Sequence, residues 1–159
     1  VPVQSQWREA APRNETNAPP EAGQEASIER CAEAFTHYVT ASRELRGYVD
    51  LLEALLRRAP CDSFFQLFAE RLVVETRGWA SRHVDWAYAS VYGATASPSP
   101  SGAPDLRKLV REVICDACAE RSSEGRAPLM DSLEKIEQTL ARMVCLGSLL
   151  ERMTSSWAP

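Results

Sequence analysis

Residues 28–56 read IERCAEAFTHYVTASRELRGYVDLLEALL. Within this stretch Ile28, Cys31, Phe35, Tyr38, Ser42, Leu45, Val49, Leu52 and Leu56 follow one another at alternating steps of three and four residues. An apolar seam of period 3.5 held this long belongs to an α-helix packed at a shallow left-handed angle against other helices. The spacing predicts a single helix of ~45 Å. Ser27 is placed to cap its start, Arg57 and Arg58 suit the negative end of its dipole, and Pro60 stops it. Gly47 falls inside the helix at a cost of about 1 kcal/mol and leaves the register intact.

Only residues 59–62 separate this helix from the next apolar run, and so short a connection forces an antiparallel hairpin. A second helix, capped by Asp62 or Ser63, is predicted to run to about Val91 with Phe65, Phe68, Leu72, Trp79 and Trp86 on one stripe and Gly78 as its weak point. The segment ATASPSPSG over 94–102 is loop. A third helix follows from about Pro104 to about Arg121, with Leu106, Val110, Val113, Ile114 and Ala117 inward. After a turn over 122–126, a fourth runs from about Pro128 to Met153 and buries Leu129, Leu133, Ile136, Leu140, Met143 and Val144. Past Gly147 its apolar face shifts to Leu146, Leu150 and Met153, which implies a bend or a second contact surface. No stretch reads as a strand. The fold expected is therefore all-α, an up-down-up-down four-helix bundle with disulfide cross-links over residues 27–157. Residues 1–26 carry Pro2, Pro12, Pro19 and Pro20 and almost no large apolar side chain. They read as a flexible polar leader.

The chain has 159 residues and a net charge of −4, the size of one domain. Its 18 lysines and arginines are scattered, which argues against a nucleic-acid surface. No apolar run approaches the ~18–20 residues of a membrane span. A start at Val1 fits either a removed signal peptide or a recombinant start point. Asn14-Glu15-Thr16 is a glycosylation sequon, and five cysteines are many for a small cytosolic domain. The expectation is a secreted glycoprotein.

Antiparallel order brings Cys61 and Cys118 to one end of the bundle, making Cys61–Cys118 the preferred bridge. Cys31–Cys145 is the second, although straight rods leave its members ~15 Å apart along the axis. Cys115 projects away from the apolar stripe of its helix beside Arg111, as a free thiol or the link of a disulfide-bonded dimer. Cys115 and Cys118 form a CxxC, but a thioredoxin-type site needs a βαβ setting, and zinc needs further ligands where only Cys145 or a distant histidine is on offer. No cofactor or metal is expected.

Catalysis has little support: His37 and His83 lie on different helices, no phosphate loop or nucleophile elbow is present, and the carboxylates read as solvated helix faces. A binding role has more. The third helix spans ~27 Å against ~45 Å for the first two, so the late part of the second should lack neighbours. That part holds Trp79, Trp86, Tyr88 and Tyr92 with Arg77 and Arg82, and a second stripe of Ala80, Val84, Ala87 and Val91 lies ~110° around. Trp, Tyr and Arg anchor interfaces, so Trp79, Arg82, Trp86, Ala87 and Val91 form the candidate face. The competing reading is that Trp79 and Trp86 simply continue the core. The function expected is a secreted or surface-displayed, non-enzymatic helical protein that binds a receptor or other surface protein as ligand, decoy or adhesin. A cytokine-like form is disfavoured, because four residues at 59–62 cannot make a long crossover. The alternatives are a carrier of an apolar molecule held between helices and an intracellular helical regulator with reduced thiols.

Overall fold

The computed structural model describes residues 22–58, 63–93, 99–119 and 123–155. Among them are four helices and no strand: α1 (Ala22–Arg58), α2 (Ser63–Tyr92), α3 (Ala103–Ala119) and α4 (Ser123–Ser155). The seam in α1 is the spine of the core. Cys31, Tyr38, Ser42, Leu45, Val49, Leu52 and Leu56 are buried, and Ile28 and Phe35 are half-buried. The helix passes through Gly47 unbroken, where an added Cβ would meet nothing within 4 Å.

α1 packs along α2 on one side and α4 on the other, α3 closes the ring between α2 and α4, and α1 and α3 do not touch. Side-chain pairs fix the directions. On the α2 side, Arg77 meets Asp50 and Glu53 near the end of α1, while Tyr92 stacks edge-on to Phe35 near its start. On the α4 side, Lys135 lies over Tyr48, Arg142 pairs with Glu44, and Gly147 abuts the Tyr38 ring. Arg111 reaches Glu137, and Cys118 lies against Met130, between α3 and α4. Every neighbouring pair with such contacts is antiparallel, the arrangement of an up-down-up-down bundle.

Two helix starts fall earlier than the local signals placed them. α1 begins at Ala22, upstream of the Ser27 cap position and five residues inside the stretch read as leader. Residues 1–21, with Asn14, lie outside the described residues. α4 begins at Ser123, so Pro128 sits inside the helix rather than at its start. The same helix continues through Gly147 to Ser155. Tyr38 packs against Gly147, its ring 3.5 Å from where a Cβ would stand, an ordinary contact distance.

The disulfide expectation is not met. Among the described residues there is no disulfide, and Cys31 and Cys145 are both free. The pairing of Tyr38 with Gly147 and of Glu44 with Arg142 puts Cys145 level with Thr40, nine residues or ~13 Å along α1 from Cys31. A bridge tolerates Cα separations only up to ~7 Å. Cys31 is instead a buried apolar filler whose thiol burial pushes up to about 11. Cys61 lies outside the described residues; its expected partner Cys118 is exposed on α3, with its Sγ 4.0 Å from Met130 Sδ.

Candidate functional site

The late half of α2 is not short of neighbours. Trp79, Trp86, Ala87 and Val91 are all buried, with Trp79 at 2% and Trp86 at 6% exposure. Of the five residues expected to form a binding face, only Arg82 is exposed. Three things cover the stretch that the short α3 was expected to leave bare. The early half of α1 lies against it through Phe35. The approach to α3 turns at Gly102, whose φ of +109° favours glycine, and a Cβ there would stand 4.0 Å from Trp79 Cδ1. Ser99 is tied to Glu151 of α4 by a 3.0 Å hydrogen bond. Both apolar stripes of α2 are therefore core, with Val84 and Tyr92 half-buried at its margin.

His83 belongs to this packing. Its ring stacks on Trp79 with centroids 3.8 Å apart, and its Nδ1 bonds to the Trp79 carbonyl at 2.9 Å. Burial holds its pKa below the usual histidine range; the Trp79 carbonyl opposes this, Arg82 adds to it, and the Pro100 backbone opposes it again. His37 stands apart on the exposed side of α1 beside Glu33. It lines an open depression of ≈ 300 Å³ between α1 and α4 with Thr40, Glu44, Arg142 and Leu146. No three His, Cys, Asp or Glu side chains gather as a metal site among the described residues.

The feature missed by sequence reasoning is on the other side of α2. The inward line runs Phe65, Ala69, Leu72, Thr76, Trp79, His83, Trp86 and Ser90, all buried. Opposite it, at steps of three and four, stand Phe64, Leu67, Arg71, Val74, Gly78, Ser81, Asp85 and Tyr88, all exposed except half-buried Gly78. Among the described residues six large apolar side chains are exposed, and five lie on α2: Phe64 (71%), Leu67 (64%), Phe68 (40%), Val74 (69%) and Tyr88 (61%). The sixth, Leu51, is on α1. Single exposed apolar residues need no explanation, whereas a concentration on one helix does, four of the five (Phe64, Leu67, Val74 and Tyr88) lying on this outward line. The face is apolar at its start, small at Gly78 and Ser81, and aromatic at its end. Charge along it is sparse, and Arg71 is already engaged by Glu75 at 2.8 Å. Such a surface offers apolar anchors at both ends and a shallow middle where another helix approaches closely.

Comparison of the chain with protein-family models, with curated proteins and with solved structures finds no match. No helix among the described residues is long and apolar enough to cross a membrane.

Proposed function

We propose that this chain is a helical protein-binding module whose contact surface is the outward face of α2, centred on Leu67, Val74 and Tyr88. The observation that carries the reading is the confinement of five of the six exposed large apolar side chains to that helix. The partner it suits is another protein presenting an amphipathic helix, with apolar anchors at heptad spacing. Arg82 stays at the rim of this face, while Trp79, Trp86, Ala87 and Val91 serve it from beneath by holding α2 in place. A receptor or surface protein remains the kind of partner proposed, and the Asn14 sequon supports an extracellular setting. The cysteines lend that setting less weight, since Cys31 and Cys145 are free and Cys115 is an exposed free thiol.

The test is a double variant, Leu67→Glu/Val74→Glu, assayed against the partner once isolated. Exposed positions tolerate charge with little effect on stability, so helix content and unfolding midpoint should match the parent while binding falls at least roughly a hundred-fold, the effect of removing central apolar anchors. Unchanged affinity would remove this face from consideration, and loss of the fold would show that the two side chains are structural.

A further inference from the structure

The outward line of α2 has a period of its own. Leu67, Arg71, Val74, Gly78, Ser81, Asp85 and Tyr88 follow one another at alternating steps of four and three. That is the spacing of a seam on which a second helix packs at a shallow angle. Its charges are only partly spent. Asp85 is exposed and makes no ion pair among the described residues. Arg71 gives its Nε to Glu75 at 2.8 Å, and nothing among the described residues bonds its two Nη groups. Arg82, on the rim, is likewise without an ion pair among the described residues, and its Nη1 lies 3.2 Å from where a Cβ on Gly78 would stand. The guanidinium therefore rests beside the shallow middle of the face.

Those charges select the helix that fits. A copy of α2 laid parallel and in register would set Arg71 on Arg71 and Asp85 on Asp85. Laid antiparallel, it brings Val74 of one copy level with Gly78 of the other, Arg71 level with Ser81, and Leu67 level with Asp85, each twice by symmetry. Side chains on a helix lean toward its N-terminus. Arg71 of one copy and Asp85 of the other stand one turn, ~6 Å, apart along the axis, and so they lean toward each other. The same rule aims Leu67 at Tyr88 of the other copy, and Arg82 at Glu75. Opposite charges meet four times across the two-fold, with the bulk of Val74 set against the missing side chain of Gly78. We propose that a second copy of this chain docks on this face, α2 against α2 in antiparallel order, about a two-fold axis between Val74 and Gly78. The proposal rests on the reading of that face as a contact surface and names its occupant. From 64 to 88 the seam is ~36 Å long and a helix is ~10–12 Å wide, so each copy covers roughly 400 Å². A total of about 800 Å² falls below the ~1,200 Å² of stable complexes and belongs with transient ones. The face is thus open in dilute solution and masked as the chain concentrates, and a tighter partner on the same face displaces the second copy.

The experiment is sedimentation velocity of the full chain from about 1 μM to about 1 mM, with a reductant present so that no disulfide through Cys115 links the copies. The mass should climb from that of one chain toward that of two, with a dissociation constant of roughly 10–100 μM. Arg71→Glu and Asp85→Arg each turn two attractions into repulsions and should weaken the dimer roughly ten-fold or more at low salt. Combined in one chain, the two changes restore opposite charges across the axis and should return the dissociation constant to within about three-fold of the parent. Both positions are exposed, so circular dichroism should show the parent's helix content in every variant. A parent chain that stays monomeric at the highest concentration overturns the proposal and leaves the face to a different partner, which Leu67→Glu/Val74→Glu tests separately. Association that neither single variant weakens overturns it as well, because the copies then meet in parallel or through another surface. A double variant no tighter than the single ones has the same consequence, since the charges then do not pair across the axis.

Discussion

α1 and α2 lie side by side and differ in how they spend their apolar residues. α1 concentrates them on the seam from Ile28 to Leu56, and its outer side is Glu29, Glu33, Thr36, Arg43, Asp50 and similar polar residues, with Leu51 the exception. α2 places residues as unlike as Trp79, Thr76, His83 and Ser90 inward and leaves Phe64, Leu67, Val74 and Tyr88 outward. A helix whose inside is partly polar and whose outside is partly apolar is poorly described by one amphipathic stripe. The lesson is that phase, more than residue type, decides what is buried. Packing on α1, α3 and α4 sets the phase of α2 and leaves Leu67, Val74 and Tyr88 exposed.

The two faces of α2 differ most at Trp79. Truncating a fully buried tryptophan removes its transfer free energy and leaves a cavity, so Trp79→Ala should cost about 3–5 kcal/mol. Val74→Ala, five residues earlier and on the outward line, should stay within about 0.5 kcal/mol of the parent. Chemical denaturation of the two variants measures both. A large loss at Val74 and a small one at Trp79 would reverse the assignment of the two faces.

A smaller effect, of opposite sign, belongs to α1. Gly47 needs no glycine: nothing lies within 4 Å of a Cβ there, and the backbone is helical. Gly47→Ala should stabilise by about 0.5–1 kcal/mol by restricting the unfolded chain, a rise of roughly 2–4 °C in the thermal midpoint. At Gly78 of α2 the added Cβ would meet Arg82 Nη1 at 3.2 Å, so the same substitution should gain less. Calorimetry on the two variants distinguishes them, and an equal gain would mean that Arg82 moves freely.

His83 supplies the gentlest of these effects. Its folded pKa lies below the usual value, chiefly because burial penalises the charged ring. Below the unfolded value of about 6.5, the unfolded chain therefore binds a proton more readily than the folded one. Stability contributed by the neutral ring is fully present above that pH and is lost as pH falls toward the folded pKa. His83→Gln should flatten this segment of a stability–pH curve measured between pH 7 and 5. An unchanged slope would assign the acid sensitivity to other groups.

Much of the fold was legible in the chain, and unevenly so. The α1 seam could be read because large apolar residues occupy nearly every position of the repeat, leaving one phase available. In α2 the large residues gave the wrong weight. Phe68 was taken into the stripe and is 40% exposed, while its neighbour Ala69 is buried. Alanine, threonine, histidine and serine at 69, 76, 83 and 90 hold the inward line, and small or polar residues carry little signal in a pattern scored by hydrophobicity. The binding residues were misplaced for a related reason. Helix lengths alone left the end of α2 bare, whereas the Gly102 turn, the Ser99–Glu151 hydrogen bond and the early half of α1 cover it. Axial register, which separates Cys31 from Cys145, depends on how Tyr38 seats against Gly147, and no local spacing encodes that contact.

Site-specific photo-crosslinking tests directly whether the outward face of α2 is a contact surface. A photoreactive phenylalanine analogue placed at Leu67 or Val74, and as a control at the exposed Glu134 of α4, is irradiated with the chain bound to its partner. Cross-links should form at 67 and 74 and be absent at 134. Cross-linking at 134 with none at 67 or 74 would place the contact on α4 and rule out the α2 face.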